Sequence, residues 1–423
     1  MSCAIALVAA LTTMVPAGDW SVKVECGDGS AVFEVDPPER IEVKGERHAR
    51  LPAPVKRNGW TKECKFMAVR AMECTVGYAV VQDSIRISTA DGKPLIRDRD
   101  YTVDPQWGGI EWKDGASIGT NVPIVVDYAY LVRRLDSVVK DRGGALRLKK
   151  GESHVVTPTP PALAPGEELV GNILLDAETT RLSDRNLFPV VSAAPELAAG
   201  GVPVAAKLLP KTWAKLHAGK NVRILAWGDS VTAGGFVPKE DKWQEQFVRR
   251  LRMRFPKARI ELVVNAWPGR SSSNFLRVPP DDPHHFTNRV VGVKADLVVS
   301  EFVNDANASD RIVKRHYPTF LKAFRDAGTE WIILTPHYVR PDWMGLKGCK
   351  NTDDDPRPFV KALRAFAAEN SIALADAAKL WGGLWRRGMP FSVMYANDIN
   401  HPLTPGMTLF ADALMELFGP AGK

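Results

Sequence analysis

The sequence predicts a chain in two parts: a three-layer α/β domain with a parallel central sheet, preceded by an all-β, sandwich-like domain. Three observations carry this. From about residue 20 to residue 139, short runs rich in β-branched and aromatic residues (SVKVEC, SIRIST, VPIVVDYAYLV) are separated by turn pairs such as Asp28-Gly29, Asp91-Gly92 and Asp114-Gly115. That is the texture of antiparallel strands and hairpins. From residue 219 onward, near-continuous apolar runs alternate with helical segments, as in a parallel sheet covered on both faces. Between the two lies TPTPPALAPGEE (157–168), too stiff and too poor in apolar residues to be core.

Taken in order, residues 1–18 read as a signal peptide. An apolar block at 4–10 precedes small residues around Ala17, although no charged segment leads it. The alternative is an apolar first strand. Residues 19–150 form the β domain, and residues 151–207 a Pro-rich linker and connecting segment that stays extended or adds a small β layer. Residues 208–423 form the α/β domain. LPKTWAKLHAGK reads as a short helix stopped by Gly219, and RILAW, RIELVVNAW, DLVVSEFVND, WIILTPHY and IALADA as the strands. Helices are expected over 241–255, 310–327, 356–369 and 405–417, with Pro356 and Gly328 as start and stop signals. A polypeptide beginning near Leu208 is expected to hold a complete sheet and fold alone.

Composition excludes several classes. Of 423 residues 45% are hydrophobic and 25% charged, which is globular. The net charge of +7, from 56 basic and 49 acidic residues, is small for this length. The densest basic run, RRLRMRFPKAR (249–259), lacks interleaved aromatic platforms and fits the outer face of a helix whose Trp243, Phe247, Leu251 and Phe255 point inward. No nucleic-acid partner is expected. No apolar run is long enough to span a membrane. The cysteines at 3, 26, 64, 74 and 349 show no zinc spacing; Cys64 and Cys74 are the candidates for pairing if the protein is exported.

The chemistry is expected at the carboxyl ends of the parallel strands. Reading those ends gives Gly228-Asp229-Ser230, then 265–269, then Asn304-Asp305, with Asp398-Ile399-Asn400-His401 before the last helix. A serine hydrolase needs a nucleophile, an imidazole base, an orienting carboxylate and donors for an oxyanion. The alternative readings are a helix cap for Ser230, a turn glycine for Gly269 and an Asx turn for Asn304-Asp305. Asp281, Asp282, His284 and His285 suggest a loop rather than a metal site, so neither metal nor cofactor is expected.

Four blocks in order, GDSVTAGG, NAWPGRSSS, EFVND and DINHP, resemble those of the SGNH (GDSL-type) hydrolases. The resemblance covers about half the chain and implies a flavodoxin-like α/β/α fold. It also implies roles: Ser230 as nucleophile, His401 as base and Asp398 as its acid. The oxyanion hole would comprise the N–H groups of Ser230 and Gly269 and the amide of Asn304. Where the family usually has Gly two residues before the Asn, this chain has Phe302. Trp267, Phe302 and His337 are the candidates for contact with substrate. Block two is similar to that of rhamnogalacturonan acetylesterases, so the expected activity is O-deacetylation of a small-molecule or polysaccharide ester by a secreted or periplasmic enzyme. A lipid or thioester hydrolase, or a degenerate glycan-binding protein, are the alternatives.

Overall fold

The computed structural model describes residues 12–54, 64–192, 202–307 and 309–419. The chain divides into two compact units: a β unit of Met1–Ala193, Gly348–Lys350 and Leu384–Ile399, and an α/β unit of Ala194–Lys347, Asn351–Gly383 and Asn400–Lys423.

The β unit opens on β1 (Thr12–Pro16), β2 (Ser21–Cys26) and β3 (Gly29–Glu34), an antiparallel sheet in that order. β4 (Arg40–His48), β5 (Val80–Thr89), β6 (Pro94–Leu95) and β9 (Ile124–Leu131) make a second sheet in the order β4-β9-β5-β6. A two-stranded ribbon joins β7 (Tyr101–Val103) to β8 (Ile110–Trp112). β10 (Arg134–Lys140), β11 (Leu146–Lys149), β12 (Glu168–Leu175) and β13 (Leu187–Pro189) complete a four-stranded sheet in the order β11-β10-β12-β13.

Among the described residues, two large hydrophobic clusters hold these sheets. Met14, Val22, Val24, Val138, Val170, Ile173, Leu175 and Leu187 join the first and last sheets. Phe66, Ile85, Ile87, Ile110, Val126 and Tyr128 form the other core. Residues 12–16 form an edge strand with Met14 buried in a core; residues 1–11, most of the expected signal peptide, lie outside the described residues. The connecting segment contains β12, six of whose eight residues are buried; it pairs with β10 because its apolar run finds the facing strand far away in sequence. Cys64 and Cys74 are free thiols, Cys74 donating to the Asn397 carbonyl. Residues 384–399 are also part of this unit. Val191 N–H donates to the Arg386 carbonyl, Asn172 Nδ2 to that of Gly388, and Met72 N–H to that of Ala396.

The α/β unit begins with α1 (Val204–Leu208) and α2 (Pro210–His217). Its sheet comprises β14 (Asn221–Gly228), β15 (Arg259–Ala266), β16 (Leu297–Glu301), β17 (Glu330–Leu334) and β18 (Ala373–Ala375), all parallel. Their order is β15-β14-β16-β17-β18. The remaining helices are α3 (Ser230–Ala233), α4 (Trp243–Arg254), α5 (Arg311–Asp326), α6 (Pro358–Glu369), α7 (Ala377–Gly382) and α8 (Thr404–Glu416). α8 packs on α4 and α7, and α5 on α6. The strand order runs 2-1-3-4-5, as in flavodoxin-like sheets. Its switch point lies between the first and third strands, where ligands of such sheets bind. β14 leads into Ser230 and β16 into Asn304, so both residues fall at that point. Among the described residues no helix is long and apolar enough to cross a membrane.

Candidate active site

β14 ends on Gly228 because nothing larger fits: a Cβ there would lie 2.0 Å from Thr232 Oγ1 and 2.3 Å from the Glu301 carbonyl oxygen. The close approach lets the chain turn at once into α3. Asp229, not Ser230, caps that helix, its Oδ1 accepting the Val231 N–H at 3.1 Å. Ser230 is thereby left half-buried on the first helical turn, its Oγ 3.1 Å from His401 Nε2. The His401 ring is stacked on Phe236, with centroids 4.5 Å apart and planes 8° from parallel. That contact fixes the imidazole plane. The only signal for it in the sequence is an aromatic residue just after the Gly234-Gly235 pair.

Asp229 has a second task. Its Oδ2 accepts both the backbone N–H of Asn304 (2.8 Å) and the Asn304 Nδ2–H (2.9 Å). Since a carboxylate only accepts, the amide nitrogen must face it, which sets the orientation of the Asn304 side chain. Block two is tied to the same turn by the Trp267 N–H, which donates to the Gly228 carbonyl at 2.9 Å. Gly269 has φ +72°, the left-handed region, with open space where a Cβ would be. Here it is conformation, not crowding, that calls for glycine.

Three buried carboxyls lie behind these strand ends. Asp229, Glu301 and Asp305 are all 0% exposed. Burial pushes the Asp229 carboxyl up to about 6, against the hydrogen bonds from Asn304 and Val231 that favour its anion. Burial, and then the charge of Asp229, push Glu301 well above the usual carboxylate range. Asp305, whose Oδ1 accepts the Ser272 N–H at 3.0 Å, rises to about 7, again chiefly through burial.

Asp398 belongs to the β unit, and the chain re-enters the α/β unit at Asn400. Its backbone is left-handed, φ +55°, a conformation that Asp tolerates better than most residues. Its Oδ1 pairs with Arg133 Nη1 and its Oδ2 accepts the Gly77 N–H at 3.0 Å. Neither partner is foreshadowed by a motif, because both come from positions hundreds of residues earlier.

The three residues expected to touch substrate fare differently. Phe302 is buried, its ring 4.9 Å from that of Trp227 within a cluster that includes Phe275 and Phe320. It is core, as is Trp227. His337 is fully buried against Trp381 and Phe410 and lines no open surface. Trp267 is half-buried, one face stacked on His284 at 4.4 Å and the Arg270 guanidinium 5.4 Å from its ring. His284 also pairs with Asp282 at 3.2 Å.

Residues 226–409 match the model of the GDSL-like lipase/acylhydrolase family. Less than half of the chain is matched, so it is the α/β part that is similar to this family. Similar solved structures include a two-domain esterase active on acetylated mannans, at 15% identity and TM-score 0.40, covering 50% of this chain and 52% of that one. An α/β hydrolase from the metagenome of Lake Arreo, Spain, is 19% identical with TM-score 0.38, over 46% and 94%. An acetyl xylan esterase is 16% identical with TM-score 0.37, over 46% and 98%. The chain thus spans about half the length of the two-domain esterase. No curated protein matches.

Proposed function

We propose that the protein removes small acyl groups, acetyl above all, from carbohydrate esters by a serine-nucleophile mechanism. The observation that carries the reading is the 3.1 Å approach of Ser230 Oγ to His401 Nε2 at the switch point of the sheet. Ser230 Oγ attacks the ester carbonyl as its proton passes to His401 Nε2. The C–O bond to the sugar then breaks, and the imidazolium returns the proton to the departing alkoxide. Water, deprotonated by the same imidazole, cleaves the acyl-enzyme to give the carboxylic acid. Asp398, three residues before His401, is assigned to the imidazolium as its carboxylate partner. The N–H groups of Ser230 and Gly269 and the Nδ2–H of Asn304 are assigned to the oxyanion. Because Asp229 already holds the Asn304 amide, that donor is in place before charge develops, which is what makes such a donor effective.

A short acyl group is assigned ahead of a long one, with Trp267 as the candidate for contact with substrate. A secreted or periplasmic location accompanies a polysaccharide substrate. The test is acetate release from a panel of acetylated polysaccharides, mannan and xylan among them, with nitrophenyl acetate, butyrate and octanoate run in parallel. Ser230→Ala and His401→Ala are each expected to abolish turnover, and kcat/KM to fall from acetate to octanoate. Turnover by Ser230→Ala at the wild-type rate would end the reading. A profile rising through octanoate would replace the carbohydrate substrate with a lipid or thioester.

A further inference from the structure

We infer that His337 is a positioning residue for the base: it locks the peptide that carries His401 and does not meet substrate. The inference rests on the reading of Ser230 and His401 given above. His337 follows β17 and is 0% exposed, yet its Nε2 lies 2.8 Å from the Asn400 carbonyl oxygen. A carbonyl only accepts, so Nε2 carries the hydrogen. The Asn400 carbonyl belongs to the peptide bond that leads directly into His401. Holding it fixes the plane from which the His401 side chain springs.

The ring itself has little freedom. Trp381 and Phe410 pack on it, with centroids 5.1 and 5.5 Å away. Its backbone is held as well: Arg357 Nη2 donates to the His337 carbonyl at 2.8 Å and to that of Pro336 at 3.2 Å. Arg357 is in turn clamped by the fully buried Asp355, through Nε at 2.9 Å and through Nη2. An anchored chain therefore runs from Asp355 through Arg357 and His337 to Asn400 and ends at the base. Burial, together with the nearby Arg357 charge, holds His337 far below the usual imidazole range, so the ring is neutral. A neutral donor holds the loop without placing a second positive charge next to the imidazolium that forms on His401.

The experiment compares His337→Phe, which keeps bulk and loses the donor, with His337→Gln, whose amide restores an N–H near the Nε2 position. His337→Phe is expected to lower kcat for nitrophenyl acetate by roughly 10- to 100-fold, the scale of a misplaced catalytic group. KM should stay within about twofold, and the reaction of Ser230 with a fluorophosphonate probe should slow in parallel. His337→Gln should recover most of kcat. If His337→Phe does not fold, His337→Asn, whose amide falls short of the Asn400 carbonyl, takes its place with the same expectation. Wild-type kcat in His337→Phe, a loss confined to KM, or a Gln variant as impaired as the Phe variant would each overturn the inference. With Ser230→Ala inactive in the same assay, such a result counts against His337 alone; an active Ser230→Ala counts against the underlying mechanism.

Discussion

Replacing Asp305 by asparagine tests how the acids behind the nucleophile are charged. Burial moves the Asp305 carboxyl from an ordinary 3.8 up to about 7, against the hydrogen bonds from Ser272 that favour its anion. Between about pH 4 and pH 7 the folded protein therefore keeps a proton that the unfolded chain has released. Because the native state binds more protons in that window, stability falls as pH rises through it and levels off above it. A rise from 3.8 to about 7, at about 1.4 kcal/mol per pH unit, corresponds to about 4 kcal/mol. Asparagine retains an oxygen for the Ser272 N–H, which approaches to 3.0 Å in the native protein, and has no acidic proton to lose. Urea unfolding of wild type and Asp305→Asn at half-unit steps from pH 4 to pH 8 makes the comparison, since groups that titrate alike in both cancel. The difference in unfolding free energy should move in favour of the variant by about 4 kcal/mol across this range, nearly all of it below about pH 7. A difference independent of pH would refute the protonated, buried Asp305.

Asn304→Ala should lower kcat by about 10²–10³-fold with little change in KM, as loss of one oxyanion donor does; a change confined to KM would make Asn304 a substrate-binding residue. Gly228→Ala should cost about 3 kcal/mol, the upper end of overpacking, because the added carbon would meet a backbone oxygen at 2.3 Å that has nowhere to go. Gly269→Ala should cost only about 1–2 kcal/mol for its left-handed backbone, and thermal melting of the two variants separates crowding from conformation. A chain shortened to begin at Leu208 removes Arg133 and Gly77, both partners of Asp398, along with β12. It should show no esterase activity, and a fully active fragment would show that those partners are dispensable.

The α/β half was largely legible in the sequence because its signals are local. The run into Trp227-Gly228-Asp229-Ser230 is a strand meeting a tight turn, and the helices expected over 241–255 and 310–327 form as Trp243–Arg254 and Arg311–Asp326. What escaped depends on partners distant in sequence. ELVGNILL shows no alternation because β12 is buried on both sides, and its Gly171 leaves room for the Met14 sulfur, a neighbour that no local pattern reveals. Strand alternation alone did not decide whether Phe302 faced the core or the open end of the sheet. Its aromatic partners Trp227 and Phe275 decide it. Likewise His337 at a strand end looked like a residue on view. Only the packing of Trp381 and Phe410, from α7 and α8, shows it enclosed.

The membership of residues 384–399 in the β unit also governs how the chain matures during synthesis. A ribosome releases the first 193 residues long before this segment, and domains generally fold as they emerge. Here the early β strands wait: the Asn172 amide lacks its Gly388 carbonyl, and Arg133 lacks the Asp398 carboxylate, until translation has passed residue 398. Asp398 and His401 then leave the ribosome almost together. Completion of the β unit and arrival of the proposed base thus become one late event, and a chain interrupted before residue 384 would carry Ser230 with no partner to activate it.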